Sequence, residues 1–200
     1  MTHPHETTSS YLPILMEILK FFKIKTVLEF GPGLYSTKLF SSSQKRLFSI
    51  EMKSIAWFNF ISKEMLKEKN KNIEIIFNNN FKLSTLKEKT FDLVLIDGDD
   101  RVNPANNCFG ISDIIVVHDT QHQWSNEILN PIEYLQIVFN KFPIKYLSRG
   151  NMLSDNPWTT LYTKRNDIYE HFKNIQEETL YEKYKFPYVY KEVPKIFPKE

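Results

Sequence analysis

Apolar and polar positions along this chain change period several times, and each change predicts an element. "SYLPILMEILKFFKIK" places Leu15, Ile18, Leu19 and Phe22 at helical spacing, with Ser9 or Ser10 available to cap the start. "TVLEF" is a short apolar run rich in β-formers and reads as a buried strand, followed by "STKLFSSS" as a short helix. "KRLFSIE" gives a second strand ending at Glu51, then "SIAWFNFISKEMLKEK" an amphipathic helix with Ser54 at its cap position. "NIEIIF" is a third strand and "NFKLSTLKEK" a short helix or loop. "FDLVLID" and "DIIVVHD" are a fourth and a fifth strand. Both carry too many consecutive apolar residues for a one-sided antiparallel strand and suit a parallel sheet covered on both faces.

The pattern then changes. "SNEILNPIEYLQIVFNKF" predicts a helix broken near Pro131. "PIKYLSRG" and "PWTTLYTKR", joined by the turn-rich "NMLSDN", predict an antiparallel hairpin. "NDIYEHFKNIQEETLYEKY" predicts a closing helix capped by Asn166 or Asp167, and Pro187, Pro194 and Pro198 an extended tail. The order is that of an α/β fold: a Rossmann-like, doubly wound, mostly parallel seven-stranded sheet with a C-terminal antiparallel hairpin. Such a sheet binds ligands outside the carboxyl ends of its strands. Those ends carry Glu29 with Gly31-Pro32-Gly33, then Glu51, then Asn78 to Asn80, then "DGDDR" from Asp97, then "HDTQHQ" from His118.

Composition narrows the function. The 26 basic and 24 acidic residues nearly cancel, which argues against nucleic acid as an obligate partner, since phosphate binding needs a concentrated basic face. Cys108 is the only cysteine, which excludes an intrachain disulfide and a cysteine zinc site. No apolar run reaches the ~18 residues that span a bilayer, and "MTHPHETTSS" lacks a signal-peptide layout. These features predict a soluble, cytoplasmic protein with no membrane partner.

Two of the chain's 5 glycines follow the first strand. Glycine there lets the backbone turn sharply and lets a ligand approach without a Cβ in the way. Ser36 stands where a dinucleotide-binding loop would have its third glycine, which weakens a nicotinamide or flavin reading. Glu51 lies about 20 residues further on, as ribose-binding acids do. One carboxylate can accept from both ribose hydroxyls.

"VLEFGPG", "LFSIE" and "FDLVLIDGD" resemble the nucleoside-binding motifs of class I S-adenosylmethionine-dependent methyltransferases. The "GPG-x-x-ST" loop and Trp57 resemble their small-molecule branch. The resemblance implies a methyltransferase domain over residues 1–165, with the helix and tail of 166–200 packed on it or on a partner subunit. It implies S-adenosylmethionine as cofactor, a small-molecule methyl acceptor, most simply an oxygen of a metabolite or sugar-like compound, and a homodimer. It places Glu29, Gly31, Pro32, Gly33, Ser36, Thr37, Glu51, Met52, Asn79, Asn80 and Asp97 at the cofactor. Asp97, His118 and Asp119 become the catalytic candidates.

Beyond catalysis by proximity alone, two chemistries stay open. In one, Asp97 and Asp119 hold Mg2+ with a third ligand from Asp100, Thr120 or His122. The family's metal-dependent branch has an Asp-Asn pair where this chain has Asp119-Thr120. In the other, His118 or His122 is the general base. Alternatives to the whole reading are N-methylation, a macromolecular acceptor, or an inactive nucleoside-binding domain acting as an assembly partner. Plainer roles also stand: His118 as a buried, backbone-satisfied histidine, Trp57 as core, Trp124 and Trp158 as packing, and His3, His5 and His171 as surface residues.

Overall fold

The computed structural model describes residues 10–43, 45–67, 71–141 and 158–184. Its elements follow in the order α1 (Leu12–Phe21), β1 (Thr26–Phe30), α2 (Ser36–Ser42), β2 (Arg46–Glu51), α3 (Ile55–Met65), β3 (Ile73–Phe77), β4 (Leu93–Ile96), α4 (Val102–Cys108), β5 (Ile114–His118), β6 (Leu135–Phe139), β7 (Thr159–Thr163), α5 (Asn166–Lys173) and α6 (Glu177–Lys183). The strands form one sheet in the order β3-β2-β1-β4-β5-β7-β6. β1 to β5 run parallel, and β7 lies antiparallel between β5 and β6.

The continuous apolar runs are buried on both faces, as expected. Leu93 and Leu95 of β4 join one core layer with residues of α1, α5 and α6, while Val94 and Ile96 join the other with Ala105 and Cys108 of α4. The strand order reverses between β1 and β4, which opens a crevice at their carboxyl ends.

Three expectations change. The segment read as a helix around Pro131 is a 3-10 stretch, Gln123–Glu127, followed by strand β6. Tyr134 N–H bonds the Pro131 carbonyl, a turn that ends the helical run and turns the chain into the sheet. β6 is therefore the partner of "TTLYT", and the first predicted hairpin strand lies outside the described residues. α4 was not expected, because "VNPANNC" is polar and contains Pro104. The closing helix is divided into α5 and α6, and neither Asn166 nor Asp167 caps it; Arg165 holds the cap position.

Capping is mixed elsewhere. Ser54 accepts from Trp57 N–H as expected. Ser10 does not cap α1; its hydroxyl is spent on His118, 2.9 Å away. His171 is not a simple surface residue, because its Nε2 bonds the buried Glu17 carboxylate. No helix among the described residues is long and apolar enough to cross a membrane.

Candidate active site

A cleft of about 340 Å³ lies at the switch point, at the low end of the range usual for small-molecule sites. The loop after β1 contributes Gly31 to Tyr35, the end of β2 and start of α3 contribute Glu51, Ser54 and Trp57, and the loop after β4 contributes Asp97 to Asp99 with Arg101. Asp119 directly follows β5, and Tyr11 holds the cap position before α1.

Gly31 has φ of +82°, and a Cβ there would sit 2.5 Å from Gly98 N and 2.6 Å from the Asp97 carbonyl. Its first duty is thus to let the ends of β1 and β4 touch, not to make room for a ligand. Trp57 Nε1 donates to the Pro32 carbonyl at 2.6 Å and ties the loop to α3. Trp57 is half-buried and walls the cleft, so it is not plain core.

Glu29 points its chemistry inward. It is fully buried, and its Oε2 accepts from Thr37 Oγ1 at 2.7 Å and Ser49 Oγ at 2.6 Å. Thr37 Oγ1 in turn accepts from Gly33 N–H at 3.0 Å. Glu29, Thr37 and the buried Ser36 lie beneath the loop and hold it, and none of them lines the cleft. Burial pushes the Glu29 carboxyl up to about 7, against the pull of the hydroxyls around it. Ser36 Oγ and Glu29 Oε1 each lack a formed hydrogen bond.

Glu51 closes β2 at the cleft. Its Oε1 accepts from the N–H groups of Lys53 (2.8 Å) and Ser54 (2.9 Å), which fixes the carboxylate and leaves Oε2 for a ligand. Met52 lines a neighbouring cavity of about 270 Å³ with Phe30, Phe81, Leu83 and Pro104. Asn79 and Asn80 are exposed and line neither cavity.

The catalytic candidates converge. His118 Nδ1 is 2.8 Å from Asp97 Oδ1 and 3.5 Å from Asp119 Oδ1. Arg101 Nη2 is 2.7 Å from Asp119 Oδ2 and 3.4 Å from Asp97 Oδ1, and the guanidinium lies 5.7 Å over the Trp124 ring. Asp119 holds φ of +60°, a conformation that costs a non-glycine residue about 1–3 kcal/mol and that collects at functional sites. His118 is wholly buried and does not line the cleft. Burial pulls its ring below the ordinary value, and the Asp97 and Asp119 carboxylates outweigh that, so the ring is held above it.

Asp97, His118 and Asp119 offer ligand atoms within 4.8 Å of one another. The group does not fit Mg2+. The His118 nitrogen is committed to Asp97, and the Arg101 guanidinium already bridges the two carboxylates where a cation would sit. The expected third ligands are engaged elsewhere: Asp100 with Asn103 at the start of α4, and Thr120 with Thr160, while His122 is exposed beside Gln121.

Sequence reasoning missed Tyr11 and Arg101. Tyr11 is 2% exposed, and burial together with Asp97 raises its hydroxyl well above the ordinary value. Its place in a helix that reads as core hid it. Arg101 follows the strand-end acids and drew no attention beside them; its role here is that of a counter-ion.

No protein-family model matches the sequence, and no curated protein matches it. Solved structures do. An rRNA methylase from Streptococcus thermophilus superposes with a TM-score of 0.55 at 9% identity, over 76% of this chain and 94% of that one. A SAM-dependent O-methyltransferase from Thermotoga maritima gives 0.53 at 14%, over 82% of this chain and 66% of that one. A precorrin-6y C5,15-methyltransferase from Geobacter metallireducens gives 0.52 at 14%, over 82% and 94%. At such identities the likeness is one of fold: this chain has the fold of the class I S-adenosylmethionine-dependent methyltransferases.

Proposed function

We propose that the protein transfers a methyl group from S-adenosylmethionine to an oxygen of a small molecule. The observation that carries this is charge. Glu51, Asp97, Asp99 and Asp119 line the cleft against Arg101, and Lys53 pairs Asp99 at 3.3 Å at the exposed rim. The surplus negative charge suits a cationic donor and repels a polyanion, which disfavours RNA as acceptor.

The residues fit the cofactor. Glu51 Oε2 takes the ribose hydroxyls, the cavity beside Met52 and Phe81 takes the adenine, and the Gly31–Gly33 loop faces the methionine part. Phe81 thereby replaces Asn79 and Asn80 as the adenine neighbour. When bound, the cofactor supplies an electrophilic methyl group. Asp97 opposes the sulfonium charge. Asp119 Oδ1 receives the acceptor's proton, while its Oδ2 stays on Arg101. A weak base suffices, since the acceptor oxygen grows more acidic as the new C–O bond forms. Holding acceptor and donor aligned supplies several kcal/mol more, up to ~7 or above.

Calorimetric titration with S-adenosylhomocysteine tests the reading. Micromolar binding that weakens at least tenfold in Glu51→Ala supports it; absence of binding by the parent protein sinks it. An acceptor screen by mass spectrometry then looks for a gain of one methyl group, which Asp119→Asn should abolish.

A further inference from the structure

A buried polar chain ends in the cleft, and its inner members have no part in the chemistry above. Ser10 Oγ lies 2.9 Å from His118 Nε2, and His118 Nδ1 lies 2.8 Å from Asp97 Oδ1. Ser10 and His118 are both 0% exposed; of the three, Asp97 alone lines the cleft. The Tyr11 ring packs edge-on against the imidazole, centroids 4.8 Å apart. The order of atoms is that of a Ser-His-Asp triad, yet the serine is sealed from solvent and cannot meet a substrate.

An ionised carboxylate only accepts, so Nδ1–H is the donor to Asp97. In the neutral ring Nε2 accepts from the Ser10 hydroxyl; in the charged ring it donates to the same oxygen. A hydroxyl serves both roles by rotating, so the bond to Asp97 survives either charge state. Oδ1 of Asp97 is thereby fixed, with Arg101 Nη2 3.4 Å from the same atom, and the Asp97 side chain lines the cleft.

We propose that Ser10 and His118 are positioning residues that hold Asp97 in one orientation toward the sulfonium of bound S-adenosylmethionine. This rests on the methyl-transfer reading above. It also moves His118 from the role of base to that of a support, because its ring is enclosed.

The test compares the dissociation constants of S-adenosylmethionine and S-adenosylhomocysteine, which share every group but the charged methyl-sulfonium. Asp97→Asn and His118→Leu should each weaken the charged ligand about tenfold relative to the neutral one, the scale of one charge-assisted contact. His118→Asn, whose side-chain N–H can stand in for Nδ1–H, should recover most of that loss. His118→Leu should add nothing in an Asp97→Asn background, whereas a merely structural effect would add. Ser10→Ala should shift the ratio the same way by a smaller factor. A folded His118→Leu protein with the parent's ratio overturns the proposal, as does failure of His118→Asn to recover it. Should His118→Leu not fold, Ser10→Ala decides, and a parental ratio there overturns it as well. A parent that binds neither ligand overturns the methyl-transfer reading and this proposal together; one that binds both, with ratios indifferent to these changes, overturns the proposal alone.

Discussion

Two carboxylates are equally closed to solvent in different regions of the molecule, and they behave oppositely. Glu17, in the layer where α1 meets α5 and α6, is 1% exposed; Glu29, beneath the loop of the cleft, is 0% exposed. Burial pushes both upward. Glu17 receives Lys183 Nζ at 2.7 and 3.0 Å, Tyr184 Oη at 2.5 Å and His171 Nε2 at 2.9 Å, and these hold it below its ordinary value. Glu29 receives hydroxyls alone and rises to about 7. Exclusion from solvent does not by itself decide whether an acid ionises: Glu17 sits nearer the surface among charged donors, Glu29 deeper among hydroxyls alone. Glu17 is a staple of the fold, and Glu29 is a support under the site that carries its proton over much of the pH range.

The contrast can be broken or sharpened in steps. The largest effect belongs to Glu17→Ala, which strands three donors and opens a cavity. Lys183 and His171 reach solvent in part, so the loss should be roughly 3 kcal/mol, at the low end for a broken buried pair. Urea unfolding reads it, and a loss under about 0.5 kcal/mol would mean that α6 is not held this way.

Next comes pH. Between pH 5 and pH 7 the unfolded Glu29, with an ordinary value of 4.5, has given up its proton while the folded one still holds it, and by pH 8 both have lost it. Stability should therefore fall by roughly 2–3 kcal/mol across this window as pH rises. Glu29→Gln should flatten that decline. Glu17 works on the other side: its stabilisation is present above 4.5 and drains away as pH falls through its lower folded value. A parent protein with a flat profile from pH 5 to pH 8 would contradict the Glu29 half.

A smaller change sharpens the same point. Ser49→Ala removes a hydroxyl that favours the charged form, so the Glu29 decline should move to higher pH, with a change of roughly 1 kcal/mol. A move to lower pH would show that Ser49 does not donate. Lys183→Met should cost least, about 1 kcal/mol by thermal unfolding, because Lys183 is 38% exposed and Tyr184 stays on Glu17. A cost near that of Glu17→Ala would make the lysine, not the carboxylate, the centre of the staple.

The sheet was legible where burial leaves one reading. "LVLI" and "IIVV" are covered on both faces and read as strands on sight. β6 was not, because Ile128, Ile132, Leu135 and Phe139 fall at helical spacing while the edge strand they lead into is exposed along most of its length. Of the site, Glu51, Asp97 and Asp119 were legible as strand-end acids. Gly31 was found for a reason other than the one that makes it necessary. Ser10 and Tyr11 were invisible, since what matters is their meeting with His118 across 108 positions of sequence.

The tether from Trp57 to the Pro32 carbonyl makes the loop observable. An indole whose N–H is hydrogen-bonded in the wall of a cleft changes emission when that bond or its surroundings change. With Trp124 and Trp158 replaced by Phe, Trp57 becomes the sole fluorophore of its kind, and the glycine loop reports its own movement in real time. Stopped-flow fluorescence on that protein would follow ligand entry with no label added.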